Sequence, residues 1–297
     1  MNARALFDHP HASSPHALAF SSDARAFACA IYHPRAERRI ACFDLDIDVD
    51  VDAVVSPRFQ IALGADALSV GALAFSPEGA YLACGDDDGI SIVDARSGEL
   101  IARAPLRGVR VGGLHWRSDG RVLRAHSGNE VFFWDVSART LSVLGVPGVI
   151  ARAVFGDDTL IVERPWNAEA PACFAIDLDS RQQLHDFGGA PRGLTPLAVV
   201  GDRVVSWDAT SRAGIALAIH GRASGAALER VLIAPNSPLT MPRGIAVSSS
   251  SHGRFLACTH GDTDDNHAPY YDLVVRIFDL DSAALVRTVA CELRVPA

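Results

Sequence analysis

The sequence contains no lysine: all 27 of its basic residues are arginine. The chain has 35 acidic residues, so its formal net charge is −8. This balance argues against a protein that binds nucleic-acid backbones, because such proteins carry a clustered basic surface. The use of arginine alone, together with abundant alanine and glycine, indicates a GC-rich coding sequence and a bacterial origin.

Long apolar runs are also missing. No stretch of about 18 apolar residues occurs, so the sequence predicts no membrane-spanning helix. The first 14 residues have no apolar centre and do not look like a secretory signal. We therefore expect a cytoplasmic protein whose six cysteines remain reduced.

The common catalytic and metal-binding motifs are absent as well. The sequence has no GxSxG, HExxH, P-loop or GxGxxG motif, and it has no CxxC pair of the kind that binds zinc. Local motifs therefore predict neither an enzyme nor a cofactor.

A repeated unit is present instead. The segment Gly71–Pro105 contains four short apolar runs, separated by Ser-Pro-Glu-Gly, Asp-Asp-Asp-Gly and Ser-Gly. Proline at the second and glycine at the fourth position favour a tight turn. Four strands in about 35 residues are typical of one blade of a β-propeller.

The unit recurs along nearly the whole chain. Its third strand ends in an apolar residue followed by aspartate five times, at Asp44, Asp94, Asp135, Asp177 and Asp279. In a weaker sixth unit, residues 194–234, Ile219-His220 stands at the place of this pair. Trp134-Asp135 is a Trp-Asp dipeptide, and the units resemble the blades of WD-repeat proteins.

This resemblance implies an all-β fold, with residues 1–297 forming a single propeller of four-stranded antiparallel blades. Six units are visible, and a stretch at about residues 3–8 could add a strand that closes the ring. We prefer seven blades to six, because seven is the commonest closure of WD-repeat proteins. Aromatic residues are expected in one buried slot of the first strand, at Phe20, Phe75, Trp116 and Phe155.

The cysteines follow the same repeat. Cys29, Cys84 and Cys258 share a position in the second strand, and Cys42 and Cys173 are assigned a common position in the third. Because these positions belong to different blades, most pairs of them should lie too far apart for a disulfide. We expect buried thiols.

Two acidic segments are candidates for metal binding. In residues 44–52 aspartate alternates with aliphatic residues, which favours a solvated outer strand over a calcium site; an acidic docking stripe is the alternative. Asp262, Asp264 and Asn266 have the 1, 3, 5 spacing of a calcium loop, but His267 and Leu273 replace its glycine and glutamate. Ca²⁺ binding is therefore not favoured, and no cofactor is expected.

The loops between second and third strands are predicted to share one face of the ring. They span residues 32–39, 86–89, 126–130, 163–171, 208–214 and 259–272. Tyrosine and tryptophan are common interface anchors, and several of these loops carry them together with histidines. The predicted binding residues are Tyr32, His33, Trp166, His260, His267, Tyr270 and Tyr271.

The resemblance implies a non-enzymatic scaffold that binds a protein or peptide. From the charge balance and the lack of long apolar runs, we expect it to bind neither nucleic acid nor membrane. The alternative is a hydrolase or lactonase with an acidic or metal site at the central channel. Its candidate residues are Asp86, Asp87, Asp88, Glu130, Glu169 and Asp262.

Overall fold

The computed structural model describes residues 17–31, 39–45, 56–62, 70–106, 109–146, 152–164, 173–187, 194–208, 215–233, 242–247, 255–263, 269–279, 282 and 284–290. These residues form 24 strands in six four-stranded antiparallel sheets. They contain no helix, and hence none long and apolar enough to cross a membrane. Each sheet is one continuous segment of chain in which neighbouring strands follow one another, as the repeat predicts.

The strands of the first three blades are β1 Leu18–Phe20, β2 Ala26–Ile31, β3 Arg39–Asp44, β4 Pro57–Ala62, β5 Ala72–Phe75, β6 Tyr81–Gly85, β7 Gly89–Asp94, β8 Leu100–Pro105, β9 Gly113–Trp116, β10 Val122–Ser127, β11 Glu130–Asp135 and β12 Thr140–Gly145. Those of the last three are β13 Arg152–Phe155, β14 Thr159–Glu163, β15 Cys173–Asp177, β16 Gln183–Asp186, β17 Leu194–Val200, β18 Arg203–Asp208, β19 Ile215–Gly221, β20 Ala227–Ile233, β21 Pro242–Val247, β22 Phe255–Thr263, β23 Pro269–Asp279 and β24 Ala284–Ala290.

The first strands of the blades form a ring. Each contacts the first strand of the next blade, from β1 through β5, β9, β13 and β17 to β21, and β21 contacts β1. The chain is thus a single β-propeller. The preference for seven blades is wrong for the described residues, because six sheets already complete this ring. The expected strand at residues 3–8 lies outside the described residues.

The core lies between the blades. As predicted, Phe20, Phe75, Trp116 and Phe155 are all buried, with 4–8% of their surface exposed. Phe75 and Trp116 pack against small residues of the preceding blade, Phe75 in the cluster that contains Ala19 and Ala28, and Trp116 in the cluster that contains Ala83. Because both faces of each sheet are covered, the inner strands need not alternate between polar and apolar residues.

The turns between first and second strands also link neighbouring blades. In blade two the N–H of Gly79, at a φ of 72°, donates to Ser76 over the predicted Ser-Pro-Glu-Gly turn. The Ser22 hydroxyl of blade one donates to the carbonyl of Pro77. In the same way the N–H of Ser118 donates to Asp157 at 3.0 Å. These contacts join equivalent turns, so the turns share one face of the ring.

The recurring aspartate organises the turn between third and fourth strands. All five predicted aspartates end their strands. The Asp94 carboxylate accepts from the N–H of Arg96 and of Ser97, and that of Asp135 accepts from Ala138. This local bonding explains the repeat without any ligand.

The weaker unit is shifted by one residue from its predicted alignment. The N–H of Gly221 donates to Ala226 and its carbonyl accepts from Gly225, which matches the bonding of Asp94 with Glu99 and Gly98. Gly221 therefore takes the place of aspartate. His220 takes the apolar place before it, and the assignment of Ile219-His220 to the pair is wrong. A side chain on Gly221 would meet the Ser224 hydroxyl.

The fourth strands form the outer rim. Several of their apolar residues are exposed, among them Leu100 and Leu228, because no further strand covers them. In the first blade the outer strand is β4. Of the predicted acidic strand, Asp44 is the exposed end of β3 and Leu45 is buried, while residues 46–52 lie outside the described residues.

Candidate functional site

The predicted binding face carries the hairpins between second and third strands. Of its predicted residues, Tyr32, His33, Trp166 and His267 lie outside the described residues, as do Asp264 and Asn266. His260, Asp262, Tyr270 and Tyr271 fall within β22 and β23. The structure therefore brings four of these residues into one hairpin of blade six.

This hairpin corrects the predicted loop. Much of residues 259–272 is sheet: Gly261 pairs with Tyr271, Asp262 with Tyr270, and Thr263 with Pro269. β22 has nine residues and β23 has eleven, whereas β6 and β7 of blade two have five and six. A register shift between Thr259 and Gly261 begins the extension. Blade six thus carries a longer hairpin than blade two on this face.

Two of the acidic candidates on this face, Asp86 and Asp87, make local contacts through their carboxylates. The Asp86 carboxylate accepts from the N–H of Asp88 at 2.8 Å, and the Asp87 carboxylate lies 3.9 Å from the Arg110 guanidinium. Glu130 pairs with Ser127 across the hairpin of blade three. In the described part of the chain, no group of three or more acidic, histidine or cysteine side chains could hold a metal ion. Glu169 lies outside that part.

Four described cysteines are buried: Cys29, Cys42, Cys84 and Cys173. Burial raises the pKa of Cys42 to about 11 and that of Cys173 to about 12. Cys29, Cys84 and Cys258 do share their second-strand position, opposite Leu18, Leu73 and Ile245. The common position assigned to Cys42 and Cys173 is wrong, because they lie two and four residues before their aspartates.

One position of the repeat differs in blade three. Five blades place aliphatic residues opposite each other at the centre of their first two strands. These pairs are Ala19–Ala28, Ala74–Ala83, Val154–Ile161, Ala198–Val205 and Ala246–Ala257. In blade three the equivalent pair is His115–Arg124.

His126 completes a cluster with this pair. It lies two residues beyond Arg124 on β10 and therefore on the same face of the sheet. The rings of His115 and His126 lie 6.0 and 6.4 Å from the ring of Phe155 in blade four. The cluster thus occupies the interface between blades three and four.

The cluster is largely buried, with His115 its partly exposed member, and it is incompletely hydrogen-bonded. Arg124 and His126 are 6% and 4% exposed. The Arg124 Nη1 donates to the carbonyl of Gly156 at 2.7 Å. Within the described residues, the Arg124 Nε, the His115 Nε2 and both ring nitrogens of His126 have no hydrogen-bond partner.

Burial also sets the charge of the cluster. It lowers the pKa of His126 to about 4, and together with the positive charge of Arg124 it lowers the pKa of His115 to about 4 as well. Both imidazoles are therefore neutral at pH 7, while arginine retains its charge. The result is one buried cation between two neutral rings.

Sequence reasoning identified His126 as a loop residue of the binding face but missed His115 and Arg124. The signal was available in the repeat. When the first turns of blades two and three are aligned, His115 and Arg124 fall on Ala74 and Ala83. A polar pair at a position where blade two has two alanines is the difference from the repeat that identifies the cluster.

Comparisons with known proteins bear on the fold. A chain of hydrazine synthase from Kuenenia stuttgartiensis is similar in structure, with a TM-score of 0.59 and 14% sequence identity; the match covers 91% of this chain and 78% of that one. Altogether 1449 chains of solved structures match, so the likeness selects no single function. No family model and no curated protein matches the sequence. At this identity the comparison identifies the chain as a β-propeller.

Proposed function

We propose that this protein is a non-enzymatic scaffold of the WD-repeat type that binds a protein or peptide through the face carrying its second-to-third-strand hairpins. The observation that supports this proposal most is the long β22–β23 hairpin. A hairpin that extends past the blade provides contact area that the closed ring does not need for its own stability.

Composition adds support. The extended hairpin contains Tyr270 and Tyr271, two of the four tyrosines in the chain. Tyrosine and tryptophan are over-represented among residues that dominate binding energy. Trp166, predicted on the same face, is included in the proposed contact.

The test uses the partner that co-purifies with the wild-type protein and is identified by mass spectrometry. Tyr270→Ala, Tyr271→Ala and Trp166→Ala are then compared with wild type in titrations against that purified partner. An anchor at the centre of an interface contributes about 2 kcal/mol or more, so each central residue should weaken binding by about 30-fold.

Tyr81→Ala is the matched control. Tyr81 begins β6, directly after the turn on the opposite face. This variant should lose stability without losing affinity. Unchanged affinity in all three hairpin-face variants, or losses that follow unfolding, would contradict the proposal. A stoichiometric divalent metal in the purified protein would favour the channel hydrolase instead.

A further inference from the structure

The repeat provides an internal reference for the cluster in blade three. Five blades build the same interface position from aliphatic pairs. Packing therefore does not require a polar residue there. His115 and Arg124 replace two such residues, and this change needs a reason other than the fold.

The buried charge of Arg124 is not neutralised by contact. Its one hydrogen bond is to the neutral Gly156 carbonyl, and no described carboxylate forms an ion pair with it. Asp157 acts on it electrostatically but accepts its hydrogen bond from Ser118. The carboxylates that favour the charge of Arg124 act only through space, and a buried cation with no counter-charge in contact with it is costly. The arrangement therefore lacks an anion in direct contact with the guanidinium.

The geometry also supplies donors for one. Side chains directly opposite on paired strands lie about 5 Å apart at Cβ, and residues two apart on one strand about 6.6 Å. The side chains that carry the unpartnered nitrogens, those of His115, Arg124 and His126, are therefore attached to neighbouring positions on one face of the sheet. Gly113, Leu114 and His115 are partly exposed on the innermost strand, so the cluster borders the central channel.

We propose that the cluster of His115, Arg124 and His126 binds a small oxyanion, a phosphate or carboxylate group, between blades three and four. The guanidinium supplies the charge and a planar set of N–H donors, which suits an oxyanion. Each imidazole donates one N–H. The binding step forms hydrogen bonds only and involves no covalent chemistry.

The test measures thermal unfolding of the full chain in sodium phosphate and, separately, in sodium acetate, at constant ionic strength. A ligand that binds the folded state raises Tm, by about 4 °C at a hundredfold excess over its Kd for a chain of this size. The rise should be saturable for at least one of the two anions. A saturable rise of Tm with acetate but not with phosphate would identify carboxylate as the preferred group.

His115→Ala/Arg124→Ala is the decisive variant, because it rebuilds the Ala–Ala pair of blades one and two. This double variant should fold, and its Tm should show no saturable rise with either anion. His126→Gln, which keeps a donor but changes its position, should weaken the anion effect. Arg103→Ala is the charge-matched control, because it removes an exposed arginine from the outer strand β8. This variant should retain the saturable rise of Tm.

Two results would overturn the proposal: no saturable rise of Tm with either anion in the wild type, or an equal rise in the double variant. If the double variant does not fold, the histidine ring resonances of the wild type decide. They should shift with phosphate or acetate for His115 and His126, and unchanged resonances would refute anion binding there. Partner binding at the blade-six hairpin can fail without affecting these results.

Discussion

Gly112 donates its N–H to the carbonyl of His126 at 2.9 Å, and its missing side chain leaves room for the imidazole. A Cβ on Gly112 would lie 2.8 Å from the His126 Cε1, and its next two neighbours are atoms of the same ring. The histidine and the glycine thus depend on each other for space. This relationship can be measured.

We expect Gly112→Ala to destabilise the protein by about 1–3 kcal/mol, because the added Cβ would overlap the buried ring of His126. In the Gly112→Ala/His126→Ala double variant, the second substitution removes the obstructing ring, so the total loss should be smaller than the sum of the single losses. Urea unfolding checks this. Gly145→Ala, where a Cβ meets nothing within 4 Å, should change little, and additive losses would contradict the proposed packing.

Stability should fall when the pH drops from about 6.5 towards 4. Burial lowers the folded-state pKa of His115 and His126 from 6.5 to about 4, so the unfolded chain binds protons first in this range. The charges facing His115 are Arg124, which opposes its protonation, and Asp157, which favours it. The stabilisation is complete above pH 6.5 and is lost as the pH falls towards 4.

Between pH 7.5 and pH 5 the loss from His126 alone should be about 2 kcal/mol, because stability falls by about 1.4 kcal/mol per pH unit between its unfolded and folded pKa values. Unfolding free energies at pH 7.5 and pH 5 measure it, and His115→Ala/His126→Ala should flatten the dependence. If unfolding free energy depended on pH as steeply in this variant as in the wild type, groups other than these two histidines would cause the loss of stability.

The buried cysteines should react slowly with thiol reagents. The raised pKa of Cys42 and Cys173 leaves almost no thiolate at pH 8, and thiolate is the reactive form. Peptide mapping after brief labelling should find Cys29, Cys42, Cys84 and Cys173 unmodified until denaturant is added. Rapid labelling of any of these four in the native protein would contradict their burial.

Two exposed arginines occupy positions that favour glycine. Arg139 and Arg181 have φ values of 55° and 62°, and the equivalent residues of blades two and five are Gly98 and Gly225. Because the left-handed conformation costs a residue with a Cβ about 1 kcal/mol, Arg139→Gly and Arg181→Gly should each stabilise by about that amount. Thermal unfolding measures the gain.

The reverse change provides the contrast. Gly98→Ala should be destabilising, since its Cβ would also lie 2.8 Å from the Phe59 ring. Neutral results for both arginine variants would show that these turns relax without strain.

Much of the fold could be predicted from the sequence, because blade repetition places turn residues at regular intervals. The bounds of β5 to β8 follow from Pro77, Gly79 and Gly98. Blade number could not be predicted, because closure depends on the angle between blades and no single unit records it. The extended hairpin was also missed. Its glycine and aspartates indicate a loop, whereas pairing with Tyr270 and Tyr271 makes a strand.

The cluster in blade three was missed for a different reason. Each histidine and arginine taken alone is compatible with a solvated strand. Their grouping in one cluster depends on the register of β9 against β10 and on Phe155 from the next blade. Comparison of blade with blade, position by position, would have singled out His115 and Arg124.

The closure of the ring has a mechanical consequence. Each described blade is one continuous segment, and β21 meets β1 by packing, without a strand shared between the first and last sheets. A force applied to the ends of the described ring therefore acts first across this one seam. Among the described strands, the ring should open there, with six sheets intact, before any ladder of hydrogen bonds is pulled apart.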